Sequence, residues 1–245
     1  MRFQDRVTFV TGASSGIGRA CGVRFQEEGA SVFAVARREE RLKETFENYA
    51  VADLRAEDEV RAAVESCMET FGRIDYLINA AGVIGTGGIL DTPPEEWERM
   101  YASNVDSLYY VTRHVAPHLI KRGGAIVNIS SVTSLRPYGN LLAYCSSKAA
   151  VDMFTQCVAL ELAPKGVRVN AVNPGVVVTE LHTVSGAVPD YQAFLEHSKT
   201  THPLGRVGKP EEIASLCAFL CSDEAGWITG GIYSIDGGRA LLSAR

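Results

Sequence analysis

Residues 7–18 read VTFVTGASSGIG. Val7 to Val10 is a short apolar run without charge, suited to a strand buried on both faces. TGASSGIG, residues 11–18, follows it, and a helix pattern runs from about Gly16 to Glu28 and stops at Gly29. A second apolar strand, Ser31 to Ala36, comes at once. Strand, glycine turn, helix and strand make the opening of a βαβ unit. Gly12, Gly16 and Gly18 permit a tight turn and close backbone approach, and the helix start behind them offers free N–H groups to an anion. A glycine turn before an ordinary helix would look alike. Its place inside a βαβ unit favours phosphate binding by Gly12, Ser14, Ser15, Gly16, Ile17 and Gly18.

Working outward, the alternation continues to the end of the chain. A charged helix, RREERLKETFENY, precedes a short strand from Tyr49 to Ala52. Val60, Val64, Cys67, Met68 and Phe71 form a helical stripe facing a sheet. Strand Tyr76 to Ile78 leads into NAAG at 79–82, and a long helical region spans Pro94 to Lys121. Strand Ala125 to Ile129 delivers Ser130 and Ser131. A helix through Tyr144, Lys148 and Cys157 follows, then strand Val167 to Val172 ending in NPG. A helix from Glu211 to Cys221 and strand Ile232 to Ile235 close the pattern before DGG. Seven strands alternating with helices, with no linker, predict one doubly wound parallel α/β domain over residues 1–245. Between 176 and 206 the pattern lapses, too long a span for a bare loop, so short helices and mobility are expected there.

Composition narrows the function classes. A net charge of −5 supplies no basic excess for nucleic acid. No apolar run approaches a membrane span. Asp5 and Arg6 interrupt the start too early for a signal peptide, so an intracellular, cytoplasmic protein is expected. The six cysteines show no CxxC spacing, and His114 with His118 lacks a visible third ligand. Reduced thiols and no metal are expected.

In such a sheet, ligands bind beyond the carboxyl ends of the strands. Gly12, Arg37, Asp53, Asn79, Ser131 and Pro174 all stand at that edge. At the end of the second strand NAD binding usually places an acid, but the chain reads Ala36-Arg37-Arg38. Two guanidiniums suit a 2′-phosphate, which points to NADP(H); a charged first helical turn is the plainer alternative. Tyr144 and Lys148, four apart, share one helix face. A phenol with an ordinary pKa of about 10 becomes an acid or base near neutrality only if a cation favours phenolate. A solvated helix turn carrying both residues is the alternative.

TGASSGIG, NAAG, the spacing of Ser131, Tyr144 and Lys148, and NPG together resemble the short-chain dehydrogenase/reductase family over nearly the whole chain. The resemblance implies a Rossmann-type fold and exchange of hydride between nicotinamide and a carbonyl or alcohol. It implies that Tyr144 moves the proton, Ser131 orients the oxygen, and Lys148 holds the nicotinamide ribose and depresses the Tyr144 pKa. It implies a water-relay role for Asn104, where a local kink in the long helix is expected because Asn competes for backbone bonds. Carried over likewise, Asp53 and Leu54 contact adenine, Asn79 stabilises the central strand, and Ala80 and Gly82 lie along the cofactor. Pro174, Gly175, Val177 and Thr179 frame the nicotinamide. NAAG departs from the commoner NNAG by losing the amide at Ala80, and Cys145 is not prescribed.

Leu135, Tyr138, Asn140 and Leu141 should line one wall of the substrate pocket, with Leu181, His182 and Val184 beginning a lid within 176–206. This suggests a mostly apolar pocket with a few polar groups and a broad carbonyl reductase acting on a ketone or alcohol of moderate size. A 3-oxoacyl-[acyl-carrier-protein] reductase, with Lys121, Arg122 and Lys165 as a basic rim by the pocket, or a hydroxysteroid dehydrogenase, is the alternative enzyme. A non-catalytic NADP-binding regulator is the alternative outside enzymes. The resemblance also implies a homotetramer built on the Tyr144 helix with its predecessor and on the C-terminal helix and strand.

Overall fold

A computed structural model describes residues 1–184, 188 and 190–242, without the side chains of His182 and Val184. Strands β1 (Val7–Thr11), β2 (Ser31–Ala36), β3 (Tyr49–Val51), β4 (Tyr76–Asn79), β5 (Ala125–Ile129), β6 (Arg168–Pro174) and β7 (Ile232–Ile235) form one sheet. Its order is β3-β2-β1-β4-β5-β6-β7, and every pairing is parallel. The order in which strands are added reverses between β1 and β4, the place where such sheets open a ligand crevice.

Period-two alternation feeds two cores at once. In β2, Phe33 and Val35 face one side while Val32, Ala34 and Ala36 face the other. Helices α1 (Gly16–Glu27), α2 (Glu39–Lys43) and α9 (Pro210–Cys221) cover the second side, adding Cys21, Phe25, Leu42, Ile213 and Cys217. Helices α3 (Glu57–Phe71), α5 (Ser107–Ile120) and α6 (Leu142–Leu162) cover the first with Val60, Val64, Val111, Val115 and Leu162. Burial on both faces explains why the strands read as continuous apolar runs. All six cysteines are free, and Cys21, Cys67, Cys217 and Cys221 serve as buried apolar residues.

The long helical region is not one helix. Helix α4 (Pro94–Tyr101) passes into a π-helical turn at Ala102–Asp106 before α5 resumes. The turn is centred on Asn104, where a kink is expected, and such widened turns frequently mark functional sites. The lapse after β6 contains α7 (Leu181–Val184) and α8 (Tyr191–Thr200). Helix α8 opens on Asp190, whose carboxylate accepts from Ala193 N at 2.9 Å.

Beneath the crevice, buried amides pin β4 to β5 and to both helices behind them. Asn79 Nδ2 donates to Asn128 Oδ1 at 2.9 Å and to Thr112 Oγ1 at 3.2 Å, and Asn128 Nδ2 donates to Thr155 Oγ1 at 2.9 Å. Each bond compensates a polar group that would cost roughly 1–3 kcal/mol if left unpaired. The Ala80 departure leaves the backbone path secured, because Ala80 N and Ala81 N both donate to Thr11 Oγ1, at 3.1 and 3.2 Å.

Candidate active site

A cleft of about 500 Å³ lies along the carboxyl ends of the strands. The turn after β1 forms its floor. Gly12 has φ +65°, and a Cβ there would stand 2.8 Å from the Ala80 carbonyl oxygen; a Cβ on Gly18 would stand 2.4 Å from the Gly12 oxygen. Only glycine fits either place. Ser15 precedes α1 without capping it through its side chain, which leaves first-turn N–H groups for a phosphate. The glycine cradle and this helix end fit a dinucleotide.

At one end the cleft is lined by Arg37, Arg38, Asp53, Leu54 and Arg55. Arg38 crosses the glycine turn: its Nη2 donates to Ser15 Oγ at 2.6 Å and Ser14 Oγ at 3.1 Å, and its Nη1 pairs with Glu180 at 3.0 Å. Glu180 also binds Arg41, and these two guanidiniums, Arg41 first, hold its carboxyl below the usual carboxylate range. Asp53 pairs with Arg55 at 2.5 Å, and that contact lowers its pKa. Arg37 makes no ion pair among the described residues.

The other end holds Ser131, Tyr144 and Lys148. Ser131, two residues past β5, accepts from Thr133 N at 3.2 Å, which fixes its hydroxyl at the start of a short 3₁₀ turn. Tyr144 and Lys148 are buried one turn apart on α6. The Lys148 Nζ donates to the Ile129 carbonyl at 2.9 Å and lies 5.9 Å from the Tyr144 ring centroid. Burial pulls its pKa down to about 8, with Asp152 opposing. Burial pushes the Tyr144 phenol up to about 12, with the Ser131 hydroxyl pulling the other way. The depression expected from Lys148 does not appear in the protein by itself, where burial dominates the phenol and Ser131 is the group that opposes it. A neutral phenol is the form that can donate a proton.

Asn104 lies below the cleft rather than in its wall. Its Oδ1 accepts from Val83 N at 2.8 Å, and its Nδ2 donates to Val83 O and Ser147 Oγ, both at 3.0 Å. A Cβ on Gly82 would stand 3.1 Å from Asn104 Oδ1 and 3.4 Å from Lys148 Nζ, so amide and ammonium share the space over Gly82.

Of the remaining expected residues, Ala80, Pro174, Gly175, Val177, Thr179, Tyr138, Leu141 and Leu181 line the cleft. Asn79 does not; its amide nitrogen is spent in the core. Leu135 and Asn140 are also outside it. Leu135 is 49% exposed, and Asn140, at φ 61°, contributes its backbone carbonyl to Gly87 N instead. His182 and Val184 fall outside the residues whose side chains are described. Lys121, Arg122 and Lys165 do not rim the pocket. They sit in the turns entering β5 and β6, at the opposite edge of the sheet, because α5 and α6 run antiparallel to the strands that follow them. His114 turns its Nε2 toward Glu57 at 3.0 Å.

Sequence reasoning missed Phe194 and Arg239, which line the cleft, and His202, which holds its wall. Buried His202 accepts from Val176 N through Nε2 at 3.1 Å, and its Nδ1 faces the Ser198 carbonyl at 2.6 Å. A carbonyl only accepts and an amide only donates, so the ring is neutral with its proton on Nδ1. Burial lowers its pKa from 6.5. The unfolded chain then binds a proton that the fold refuses, so stability declines as pH falls below about 6.5. His202→Gln, which can still accept and donate, is expected to show a smaller drop in Tm between pH 7 and 5 than the parent protein, measured by calorimetry.

A parallel sheet carrying a glycine turn at one end of a cleft and a buried Tyr–Lys pair at the other fits a nicotinamide-dependent oxidoreductase. The family described as enoyl-(acyl carrier protein) reductase matches residues 12–240. The chain is 37% identical to a Thermotoga maritima 3-oxoacyl-[acyl-carrier-protein] reductase, FabG, over 98% of its own length and 100% of that protein's. It is 36% identical to the 7alpha-hydroxysteroid dehydrogenase of Clostridium sardiniense, covering 98% and 95% respectively. A Caenorhabditis elegans short-chain dehydrogenase/reductase of unknown function, solved with cofactor, superposes at a TM-score of 0.94 with 35% identity over 100% of this chain and 98% of that one. The chain belongs to the short-chain dehydrogenase/reductase family.

Proposed function

We propose that the protein is an NADP(H)-dependent carbonyl reductase that interconverts a ketone and a secondary alcohol. The observation carrying this reading is that the neutral, buried Tyr144 phenol and the fixed Ser131 hydroxyl meet in a cleft whose far end presents Arg37 and Arg38. Bound nicotinamide supplies or accepts the hydride. Ser131 donates to the carbonyl oxygen and orients it, and Tyr144 gives that oxygen its proton in reduction or takes it in oxidation. Lys148 holds the cofactor ribose and adds positive charge beside the phenol. The Asn104 carbonyl oxygen, clamped by Val83, positions a relay water over Gly82. Gly12, Ser14, Ser15, Gly16, Ile17 and Gly18 receive the phosphates, and Asp53, Leu54, Ala80, Gly82, Pro174, Gly175, Val177 and Thr179 line the cofactor's path. The substrate cover is assigned to the segment 176–206, of which residues 185–187 and 189 lie outside the described residues.

The test is NADPH consumption with a ketone panel; no turnover of any ketone would leave the non-catalytic regulator as the better reading. For the cofactor, Arg37→Asp is expected to move the NADPH-to-NADH ratio of kcat/KM toward NADH by about tenfold or more, through loss of a charge-assisted phosphate contact. An unchanged ratio would assign Arg37 to the surface.

A 3-oxoacyl-[acyl-carrier-protein] reductase is the second reading, supported by the Thermotoga relative. It requires a carrier-linked 3-oxoacyl substrate to outperform the free thioester, and equal kcat/KM on both would remove it. The proposal includes a cytoplasmic location, tested by fractionation, and a homotetramer. Exposed Tyr109 on α5, Met153 and Leu160 on α6, and Trp227 ahead of β7 support contacts there, and analytical ultracentrifugation tests the assembly.

A further inference from the structure

Most arginines lining the cleft are already neutralised. Arg38 pairs with Glu180 at 3.0 Å, Arg55 with Asp53 at 2.5 Å and Arg99 with Glu96 at 2.6 Å. Two have no ion pair among the described residues: Arg37, at the phosphate end, and Arg239, beside the catalytic end. Arg239 lies in the turn Arg239–Leu241 after β7 and is half-buried. The nearby Asp236 carboxylate does not serve it, being occupied by Gly238 N at 2.9 Å and Ala240 N at 2.7 Å.

The Arg239 guanidinium stacks 5.2 Å from the Tyr138 ring centroid, and its Nε donates to the Tyr138 hydroxyl oxygen at 3.3 Å. Its Nη1 is buried and has no partner among the described residues. Leaving a buried charged donor unpaired costs more than the roughly 1–3 kcal/mol of a neutral one. Tyr138 Oη accepts from Arg239, so its own proton remains to be donated. Arg239 and Tyr138 thus line the cleft together with Val132, Leu141 and Tyr144, with one guanidinium nitrogen lacking a partner among the described residues. The pair is also held rigid. Arg136 packs 5.5 Å from the same ring and donates to the carbonyls of Leu242 and Arg239, tying the last turn to the loop before α6.

We propose that Arg239 and Tyr138 bind a carboxylate, so that the substrate of this cleft is an oxo acid and its hydroxy acid rather than a neutral ketone. The inference rests on the carbonyl-reductase reading and specifies its substrate class. A planar guanidinium fork with a phenol beside it matches a carboxylate's two oxygens. Apolar neighbours strengthen that pairing by excluding water. A neutral ketone would leave the Arg239 charge without a counter-ion.

The experiment pairs 2-, 3-, 4- and 5-oxo acids with their methyl esters at saturating NADPH. The best acid is expected to exceed its ester by about tenfold or more in kcat/KM, and Arg239→Met or Arg239→Gln to bring that ratio to within about twofold of unity, chiefly through KM. Tyr138→Phe should remove part of the preference. Calorimetric titration of the same acid and ester into the parent protein and both Arg239 variants reads the preference without turnover. Turnover of neither compound would count against the carbonyl-reductase reading, while the titration still decides the carboxylate site. Equal binding of acid and ester by the parent protein, or a preference that survives both Arg239 substitutions, would overturn the inference.

Discussion

Tyr144→Phe is expected to lower kcat for ketone reduction by about 10³-fold or more, within the usual range for loss of a positioned acid, while NADPH affinity changes little. The substitution removes one oxygen from a buried side chain and keeps the ring in its packing against Ile84 and Met100. Cofactor contacts on the glycine turn are untouched, so binding and chemistry should separate cleanly. Single-turnover kinetics with NADPH binding followed by fluorescence would show it. Retained turnover would move the proton donor elsewhere and end the proposed mechanism. The pH dependence carries a second sign. With the phenol up near 12 in the protein alone, reduction has its proton available throughout the neutral range. Lys148, near 8, loses its charge as pH rises through that value. Activity that depends on this charge is expected to fall above about pH 8, and Tyr144→Phe should flatten what remains.

The fold was legible because the central strands are buried on both faces and read as short apolar runs, while the helices between them carry one-sided stripes, from Val7 to Ile235. Strand ends were legible for the same reason, and they brought Gly12, Arg37, Asp53, Ser131 and Pro174 to one edge. Asn104 could be singled out through the family resemblance, and the kink expected there is present as the π turn, while its amide bonds Val83 and Ser147 rather than the backbone of its own helix. Legibility failed where contacts are made by the tertiary fold. Tyr138 and Arg239 are 101 residues apart in sequence, and His202 meets Val176 across 26. Neither pairing leaves a periodic trace. Leu135 and Asn140 were drawn into the pocket by proximity to Tyr144, but Asn140 has positive φ and its carbonyl serves Gly87, while Leu135 stays exposed. Lys121, Arg122 and Lys165 failed for a topological reason: a helix that begins at the ligand edge must end at the other one.

Lys148→Met is expected to raise thermal stability while suppressing turnover by about 10²-fold or more. The ordinary lysine pKa is 10.5, and burial brings Lys148 to about 8. Because the folded value lies below the unfolded one, the unfolded chain binds more protons between them, and stability rises with pH through that window. Below pH 8 both states are charged and the full penalty applies. At 1.36 kcal/mol per pH unit the gap corresponds to about 3 kcal/mol. A methionine of similar length removes that cost but leaves the Ile129 carbonyl without its 2.9 Å donor, which returns about 1 kcal/mol. The net gain near neutrality is about 2 kcal/mol, or several degrees in Tm for a chain of this size. It should shrink as pH climbs toward 10.5, which distinguishes lost desolvation from improved packing. A charge held at such cost in a buried place is best accounted for by the reaction it serves. A Lys148→Met protein no more stable than its parent at pH 7 would mean that the ammonium is already well solvated, and its influence on Tyr144 correspondingly weak.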